Sequence, residues 1–252
     1  MTEATVHADL VAMMFVAAVF TALSVLVVTA PYGRHARGGW GPPVSTRTGW
    51  LIMEVPAIAT FCIVYALGTH RAEAGPVGLL ALWVWHYGYR GLVYPFRIKA
   101  GQKPMPLSIA AMGGGFNVYN GYLNARQVSE FGVYPASWLV DPRFVAGAVL
   151  FFVGWLINQH ADAVLLALRK PGETGYKVPN GGLYRWISCP NYLGELIEWT
   201  GWALASWSFA GLGFALYTAA NLVPRALDHH RWYRRAFPDY PPERRAVIPG
   251  LL

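Results

Sequence analysis

Ionisable side chains inside long apolar stretches are the residues most able to do chemistry in this sequence. Glu54 lies near the start of the apolar run at residues 51–69 and is its one charged residue. A charge in a hydrocarbon layer is costly, so we treat such groups as site candidates. Burial or a partner can tune a carboxyl that faces a cavity for acid–base work. The competing interpretation is an interfacial acid that reaches water.

A second candidate is the aromatic run WVWHYGYR at residues 83–90. Tyr87 and Arg90 are three residues apart and therefore share a helix face. A buried tyrosine can serve as a proton or hydrogen-bond donor when a neighbour polarises it. An aromatic belt at the membrane surface would explain the same tryptophan and tyrosine content without any function.

Two further predicted helices each carry a stripe of polar side chains along one face. Asn158, Asp162 and Arg169 fall within a narrow arc at 3.6 residues per turn, whereas His160 lies on the far side. A structural pair between Asp162 and Arg169 is the alternative interpretation. We therefore expect this stripe to face either a ligand or a neighbouring helix.

The second stripe follows Pro190, a residue that often begins a helix. Asn191, Glu195 and Glu198 share one face there, and two acids at the mouth of an apolar span rarely serve solvation alone. A similar amide stripe comprises Asn117, Asn120 and Asn124. Amides can also join helices within a membrane, so this stripe is the weaker site candidate.

The C-terminal segment is rich in arginine and histidine and also carries a tyrosine; these residues are His229, His230, Tyr233, Arg234, Arg235, Arg244 and Arg245. Such a cluster suits an anionic lipid surface and equally suits the phosphates of a cofactor, which arginine binds in a bidentate manner. The sequence contains neither a dinucleotide-binding GxGxxG in a βαβ context nor a GxxxxGK[ST] motif. A nucleotide would therefore occupy an all-helical pocket.

No metal site is expected, because Cys62 and Cys189 lack a ligand-rich neighbourhood and adjacent histidines point to different helix faces. Cys62 is interpreted as a packing thiol. Glu3 and Asp9 stand where a secretory signal would carry positive charge, so we do not expect a signal peptide.

Composition defines the elements that must position these residues. Of the 252 residues, 55% are hydrophobic and 13% are charged, about half the usual charged fraction of a soluble domain. The high hydrophobicity excludes a disordered chain. The 27 Gly and 18 Pro exclude a coiled coil, and two Cys are too few for a disulfide scaffold. The net charge of +7 does not indicate nucleic acid, because the cations lie between apolar runs. The composition predicts an all-α, polytopic integral membrane protein with an embedded polar cavity open to the cytoplasm.

The apolar runs cover residues 10–30, 51–69, 76–94, 104–125, 144–168 and 199–224, and the last is extended by a semi-polar segment that begins at Asn191. The last run is long enough for two spans, with a turn near residues 209–213 at Gly211 and Gly213. Seven spans with the N-terminus outside and the C-terminus cytoplasmic leave all but three of the 20 basic residues inside. The three outside are Arg71, Arg126 and Arg143. We therefore predict seven transmembrane helices.

A series of ordered blocks in the C-terminal half resembles the steroid 5α-reductase (3-oxo-5α-steroid 4-dehydrogenase) family. The blocks are NQHAD at 158–162, LRKPGE at 168–173, YKVPNGGL at 176–183, NYLGELIEW at 191–199, ALASW at 203–207, HHRWY at 229–233, FPDYP at 237–241 and IP at 248–249. The resemblance is strong from about residue 140 and looser before it.

The resemblance implies a seven-helix membrane enzyme that uses NADPH to reduce a carbon–carbon double bond conjugated to a ketone. It implies that Glu54 and Tyr87 polarise the substrate ketone while hydride adds to the β-carbon. It also implies a set of cofactor-binding residues, namely Asn158, Asp162, Arg169, Tyr176, Asn191, Glu195, His229, Tyr233 and Arg244. The segment RIKAGQK at 97–103 departs from the family pattern and is not assigned to the cofactor.

The resemblance further implies one membrane-embedded domain over residues 1–252. Residues 140–252 would mostly bind cofactor, and residues 8–125 would mostly form the substrate cavity. We expect a monomer that contacts membrane lipid and a lipophilic, steroid-like enone, with no nucleic-acid partner. The Ala, Gly and Arg usage favours a bacterial plasma membrane, and an endoplasmic reticulum membrane applies if the source is eukaryotic.

Three other functions stay open at the level of sequence. An integral membrane methyltransferase of the isoprenylcysteine or phospholipid type would use S-adenosylmethionine in a similar helical arrangement, and an enoyl-lipid reductase is a close variant. A non-catalytic lipid-binding or scaffold protein would explain the spans and cations, but not three separate polar helix faces.

Overall fold

The computed structural model describes residues 1–29, 31, 33–98, 104–168, 173 and 175–252. Its helices within these ranges are α1 (Glu3–Val27), α2 (Thr46–Ala66), α3 (Ala74–Leu92), the short α4 (Tyr94–Arg97), α5 (Leu107–Arg126), α6 (Pro142–Ala167), α7 (Pro190–Ser206) and α8 (Phe209–Ala236). Strands β1 (Pro43–Val44) and β2 (Met105–Pro106) form a small antiparallel pair in which Val44 lies opposite Met105. The protein is therefore mostly helical, as the composition predicted.

Three of the described helices are long and apolar enough to cross a membrane by length and composition, namely α1, α2 and α6. Most of the large side chains on α1 face outward, including Phe20 and Leu26. Exposed leucine and phenylalanine on a long helix are suited to lipid contact. Apolar helices of this kind fit a membrane protein. The count of seven spans and the orientation of the termini stay predictions.

The last apolar stretch does divide into two helices, but the predicted position of the turn was wrong. The break lies at Trp207 and Ser208, where Trp207 adopts a left-handed φ of 43°. The Ser208 side chain accepts a hydrogen bond from the Gly211 amide at 3.0 Å and so caps α8. Gly211 lies in the first turn of α8, and an added Cβ there would lie 2.4 Å from the Ser206 hydroxyl. Its small size serves packing and not a turn.

The cations that the sequence assigned to a C-terminal tail belong mostly to α8. This helix extends to Ala236 and carries Arg225, Arg231, Arg234 and Arg235. A helix of 28 residues is about 42 Å long, which exceeds the hydrocarbon thickness. Its C-terminal turns contact the α1–α2 connection, where Tyr233 accepts a hydrogen bond from Arg34.

Four glycines bring α6 and α7 into backbone contact. Gly147 and Gly154 on α6 alternate with Gly194 and Gly201 on α7, each pair seven residues apart. A Cβ on Gly154 would lie 2.3 Å from the Glu198 backbone nitrogen, and a Cβ on Gly194 would lie 2.5 Å from that of Asn158. Small residues at such a spacing let membrane helices approach closely. The ladder fixes the α6 polar stripe directly against the α7 polar stripe.

An aromatic core packs α2, α3, α7 and α8 together. Trp83 stacks on Phe61 with centroids 4.5 Å apart and meets the edge of Trp202 at 5.1 Å. Trp199 packs on Phe214 at 4.4 Å. Aromatic pairs at these separations add stability beyond area burial. This core sits next to Tyr87 and holds α3 in place.

Candidate active site

Tyr87 and Glu54 come from neighbouring helices and are both buried. Tyr87 on α3 is 3% exposed, and Glu54 on α2 is 9% exposed. The two side chains lie close enough to interact electrostatically. The Asn120 amide lies beside the Tyr87 hydroxyl, and the Asn117 amide lies beside the Glu54 carboxylate. The structure thus brings the two predicted carbonyl-polarising residues together, with an α5 amide next to each.

His86 pairs with Glu198 in the same region. The His86 Nδ1 lies 2.7 Å from the Glu198 Oε1, and Glu198 is fully buried. The imidazole packs against the rings of Tyr87 and Trp199 with centroids 4.8 Å and 4.5 Å away. Sequence analysis placed Glu198 on the polar face of α7 but did not select His86. The feature that could have identified His86 from the sequence is its position directly before Tyr87 in an apolar stretch.

One helical turn beyond Tyr87, Arg90 gathers a second polar cluster from α3, α6 and α7. Its Nη1 donates to the Asp162 Oδ2 at 2.8 Å, and its Nη2 lies 3.8 Å from the Glu195 Oε1. The guanidinium also lies over the rings of Trp50 and Tyr94, 4.5 Å from each centroid. Asp162 therefore pairs with Arg90, a residue that the sequence analysis noted but did not assign to the cofactor.

Asn158 joins this cluster to the start of α7. Its Nδ2 donates to the Asn191 backbone carbonyl at 3.1 Å and to the Glu195 Oε1 at 3.3 Å. The other Glu195 oxygen accepts from the Trp199 Nε1 at 2.8 Å. The predicted stripes on α6 and α7 therefore meet each other face to face. Arg169, the last member of the α6 stripe, lies outside the described residues.

A third cluster forms where the C-terminal turns of α8 meet the segment after α1. The Arg34 Nη2 donates to the Tyr233 hydroxyl at 3.2 Å. Its guanidinium lies 4.5 Å from the Tyr233 ring, 4.8 Å from Trp232 and 5.6 Å from Tyr176. Burial disfavours the charge, but the Tyr233 oxygen favours it, and the net effect raises the pKa of Arg34. The guanidinium is therefore held as a permanent cation.

The histidines His35 and His229 stack in the same cluster. Their rings are 5.2 Å apart and nearly parallel, with the His35 Nε2 3.2 Å from the His229 Nδ1. The Tyr192 hydroxyl lies 3.1 Å from the His229 Nε2. Burial and the Arg34 charge lower the pKa of His35. The lowered pKa favours the neutral form of His35, and one of the two facing ring nitrogens must accept the hydrogen bond from the other.

Arg244 is 3% exposed and ties the C-terminal segment to the loop before α7. It donates to the Pro179 carbonyl at 3.0 Å and to the Asn180 Oδ1 at 2.5 Å. The family resemblance implied that Arg244 binds the cofactor, and its two partners lie in the block at 176–183. In this structure its contacts hold the loop, and its Nε is buried without a hydrogen-bond partner among the described residues.

Arg34 and His35 are residues that sequence reasoning missed as site members. Their signal was weak, because a cation in a short loop that is predicted to be cytoplasmic normally indicates only the positive-inside bias. Arg34 and His35 lie beside Tyr233 and His229 because the end of α8 packs against the α1–α2 connection. The two segments are nearly 200 residues apart in sequence, so the sequence does not reveal this contact.

Potential metal ligands do converge at one place within the described residues. His86, Glu195 and Glu198 offer ligand atoms that lie within 4.8 Å of one another. Hydrogen bonds already occupy the His86 Nδ1, the Glu198 Oε1 and both Glu195 oxygens. The expectation of no metal site stays a prediction.

A pocket of about 500 Å³ lies elsewhere, between α6 and the loop before α7. Leu156, His160 and Arg185 are among its lining residues. It contains none of the predicted catalytic or cofactor residues that the structure describes. The polar groups that were expected to line an embedded cavity bond one another in the clusters above, and the cavity itself stays a prediction.

Comparison with known proteins identifies the family of this chain. A family model described as 3-oxo-5-alpha-steroid 4-dehydrogenase matches residues 103–252, more than half of the chain. The chain belongs to the 3-oxo-5-alpha-steroid 4-dehydrogenase family. The matched region covers α5 to the C-terminus, so it includes every predicted cofactor-binding residue but neither Glu54 nor Tyr87.

Relatives of this oxidoreductase family extend the match to nearly the whole chain. The chain is 46% identical over 230 residues to "3-oxo-5-alpha-steroid 4-dehydrogenase 1" of Bos taurus, covering 90% of this chain and 89% of the relative. It is 43% identical over 243 residues to "Steroid 5-alpha-reductase DET2" of Gossypium hirsutum, covering 94% of each. The corresponding Arabidopsis thaliana protein is 42% identical over 237 residues, 91% of this chain and 90% of the relative. The similarity therefore reaches the early helices that carry Glu54 and Tyr87.

Proposed function

We propose that this protein reduces the Δ4 double bond of a 3-oxo steroid, or of a similar lipophilic enone, to the 5α-reduced product with NADPH. Membership of the family supports the reaction type, and the relatives carry the names of steroid 5-alpha-reductases. The observation that carries the proposal is on α3, where Tyr87 and Arg90 stand one turn apart. The hydroxyl that would hold the ketone is therefore adjacent to the cluster that would hold the cofactor.

Tyr87 is proposed to donate a hydrogen bond to the ketone oxygen of the bound enone. Negative charge develops on that oxygen as the conjugated double bond is reduced. A fixed donor in a site of low dielectric stabilises such charge more strongly than water does. Glu54, held beside Asn117, is proposed to orient the Tyr87 hydroxyl. The aromatic core behind Tyr87 keeps water away and fixes the ring.

Buried cations without full sets of partners support a phosphate-bearing cofactor. Within the described residues, the Arg34 Nη1 and the Arg244 Nε are buried and make no hydrogen bond. Spare guanidinium donors are well suited to phosphate. NADPH, when bound, supplies the hydride that adds to the β-carbon of the enone. The proposed holding residues are those that the sequence analysis named, with Arg34 and Arg90 in addition.

The clusters also indicate how the chain would make room for the cofactor. Asn158, Asp162 and Glu195 bond one another or Arg90 in this structure. Amide and carboxylate groups of this kind can exchange a neighbour for ribose hydroxyls or a carboxamide at little net cost. We propose that these contacts orient the cofactor while Arg90 stays paired.

The function is tested by incubating the protein in membranes with a panel of Δ4-3-ketosteroids and NADPH and by identifying the products by mass spectrometry. Titration of the purified protein with NADPH, and separately with S-adenosylmethionine, distinguishes a reductase from a methyltransferase. We expect a 5α-reduced ketone and saturable NADPH binding. Tight S-adenosylmethionine binding without steroid reduction would contradict the proposal.

Glu54→Gln and Tyr87→Phe test the carbonyl-polarising pair. Loss of a transition-state donor costs about 100-fold in kcat, so we expect a decrease of about this size for Tyr87→Phe. Tyr89→Phe is the matched control, because Tyr89 lies two residues along α3 and contacts Trp155 and Arg97. Near-normal turnover in both site variants, with unchanged melting temperature, would remove the pair from the mechanism.

A further inference from the structure

The amide of Asn120 has an orientation that its neighbours determine. The Trp202 Nε1 donates to the Asn124 Oδ1 at 2.8 Å. An indole nitrogen is a donor only, so the Asn124 oxygen must face Trp202 and its Nδ2 must face the other way. That Nδ2 donates to the Asn120 Oδ1 at 2.9 Å and to the Asn120 backbone carbonyl at 3.1 Å. The Asn120 oxygen is therefore occupied.

The remaining group of Asn120 is its Nδ2, which points away from Asn124. Asn120 is 0% exposed, and this nitrogen makes no hydrogen bond within the part of the chain that the structure describes. A buried N–H without a partner is costly, and such groups concentrate at functional sites. The amide lies beside the Tyr87 hydroxyl. A donor fixed by a three-residue relay is therefore aimed at the proposed carbonyl-holding tyrosine.

The other two amides of the α5 stripe differ in this respect. Asn124 bonds Trp202 and Asn120, and the Asn117 Nδ2 donates to the Met53 backbone carbonyl at 2.7 Å. Both join helices, which is the structural interpretation that the sequence allowed. Asn120 alone among these three retains a spare buried donor in the described structure.

We infer that Asn120 is a positioning residue for Tyr87: its amide donates to the Tyr87 oxygen once the hydroxyl turns its own proton toward a substrate ketone. This inference rests on the proposed function. Hydrogen bonds in a chain strengthen one another, because each donor makes the next oxygen a better acceptor and its hydroxyl a better donor. The amide would also stabilise the charge that Tyr87 gains as it donates more strongly.

The inference predicts a loss in turnover and not in substrate binding. Asn120→Ala removes the donor, and we expect kcat to fall about tenfold while KM for the enone and Kd for NADPH stay within about threefold. Ser129→Ala is the control, because Ser129 is also buried and its hydroxyl donates to the Ala125 carbonyl, away from Tyr87. Melting temperatures of both variants are measured alongside.

A double-mutant cycle separates an action through Tyr87 from an independent one. We expect Asn120→Ala to have little further effect in the Tyr87→Phe background, because its partner oxygen is then absent. Multiplicative losses in the double variant would overturn the inference, since Asn120 would then act elsewhere.

Two further variants keep the inference testable if Asn120→Ala fails to fold. Asn120→Asp keeps the size of the side chain and its acceptor oxygen, but its carboxyl can donate only when it is protonated. The kcat of this variant, relative to that of the unmodified protein, should therefore recover as the pH falls. Glu54, Glu195 and Glu198 also face Tyr87, so the unmodified protein is the reference at each pH. Trp202→Phe frees the Asn124 amide to rotate and should lower kcat about threefold without removing either asparagine.

The outcomes distinguish this inference from the proposed function. If the unmodified protein does not reduce any enone with NADPH, the proposed function and the inference both fail. If it does so and the Asn120 variants match it in kcat and pH profile, the inference alone fails.

Discussion

At the scale of residues, the site is a set of buried partners that few single residues could have revealed. Tyr87 is a site candidate because Asn120 and Glu54 lie beside it. Arg90 is one because its guanidinium pairs with the carboxylates of Asp162 and Glu195. Breaking one partner of a buried ion pair is strongly destabilising, whereas replacing both is often tolerated. Variants at Arg90 or Asp162 are thus expected to affect folding as well as cofactor binding.

Arg34 offers a cleaner test of the cofactor site, because it stacks on aromatic rings near the end of α8. We expect Arg34→Ala to raise the Kd for NADPH about tenfold, since it removes a charged donor for phosphate. Arg37→Ala in the same connection is the matched control, because Arg37 is exposed and faces Trp40. The measurement is fluorescence titration of the purified protein. Equal affinities in the two variants would contradict a phosphate-binding role for Arg34.

The His35–His229 pair predicts a stability that depends on pH. The pKa of His35 is lowered from 6.5 in the folded protein, so the unfolded chain binds a proton first as the pH falls. The contribution to stability is therefore present above pH 6.5 and is lost below it. We expect the melting temperature to decrease from pH 7.5 to pH 5.5, and to decrease less in His35→Gln. An identical pH profile in the two proteins would show that this pair does not control it.

At the scale of elements, the glycine ladder between α6 and α7 decides where the polar stripes meet. Gly154→Val would place atoms within contact of the Glu198 backbone, where an added Cβ already lies 2.3 Å away. We expect a destabilisation of at least about 1–3 kcal/mol, the typical cost of overpacking. Gly115→Val is the control, because an added Cβ there meets nothing within 4 Å.

Melting temperature in detergent and NADPH affinity are measured for both glycine variants. Displacement of α7 should lower affinity as well as stability, because Asn158 reaches both Asn191 and Glu195 across this contact. If Gly154→Val melts like Gly115→Val, close helix contact is not what positions these residues.

At the scale of the whole molecule, contacts between helix ends sort into two groups that agree with the predicted sidedness. Arg126 at the end of α5 bonds Glu3 at the start of α1, and both were assigned outside. Arg34 contacts Tyr233, and Arg47 donates to the Pro95 carbonyl, and all of these were assigned inside. An odd number of spans would place the two groups on opposite sides of the membrane, and this topology stays a prediction.

Cysteine labelling tests this topology. In a Cys62→Ala, Cys189→Ala background, Ala72→Cys should react with an impermeant maleimide from outside the cell, because Ala72 is exposed between α2 and α3. Glu243→Cys should react only after permeabilisation. Labelling of both residues in intact cells, or the reverse pattern, would show that the orientation is wrong.

The sequence by itself determined the helical, membrane-embedded class, because apolar runs and a low charge content leave few alternatives. It also placed Glu54 and the polar stripes of α6 and α7, since helical periodicity is a local property. It misplaced the turn between α7 and α8, because Gly211 and Gly213 serve packing and the break is made by Trp207 and Ser208.

Only the tertiary structure decided which polar groups became partners. Arg90 pairs with Asp162 from a different helix, and Arg34 reaches Tyr233 across nearly the whole chain. It also separated Asn120 from the two asparagines of the same stripe that serve as helix contacts. Such choices depend on distances between helices, which are set by close packing of side chains and cannot be read from the spacing along one helix.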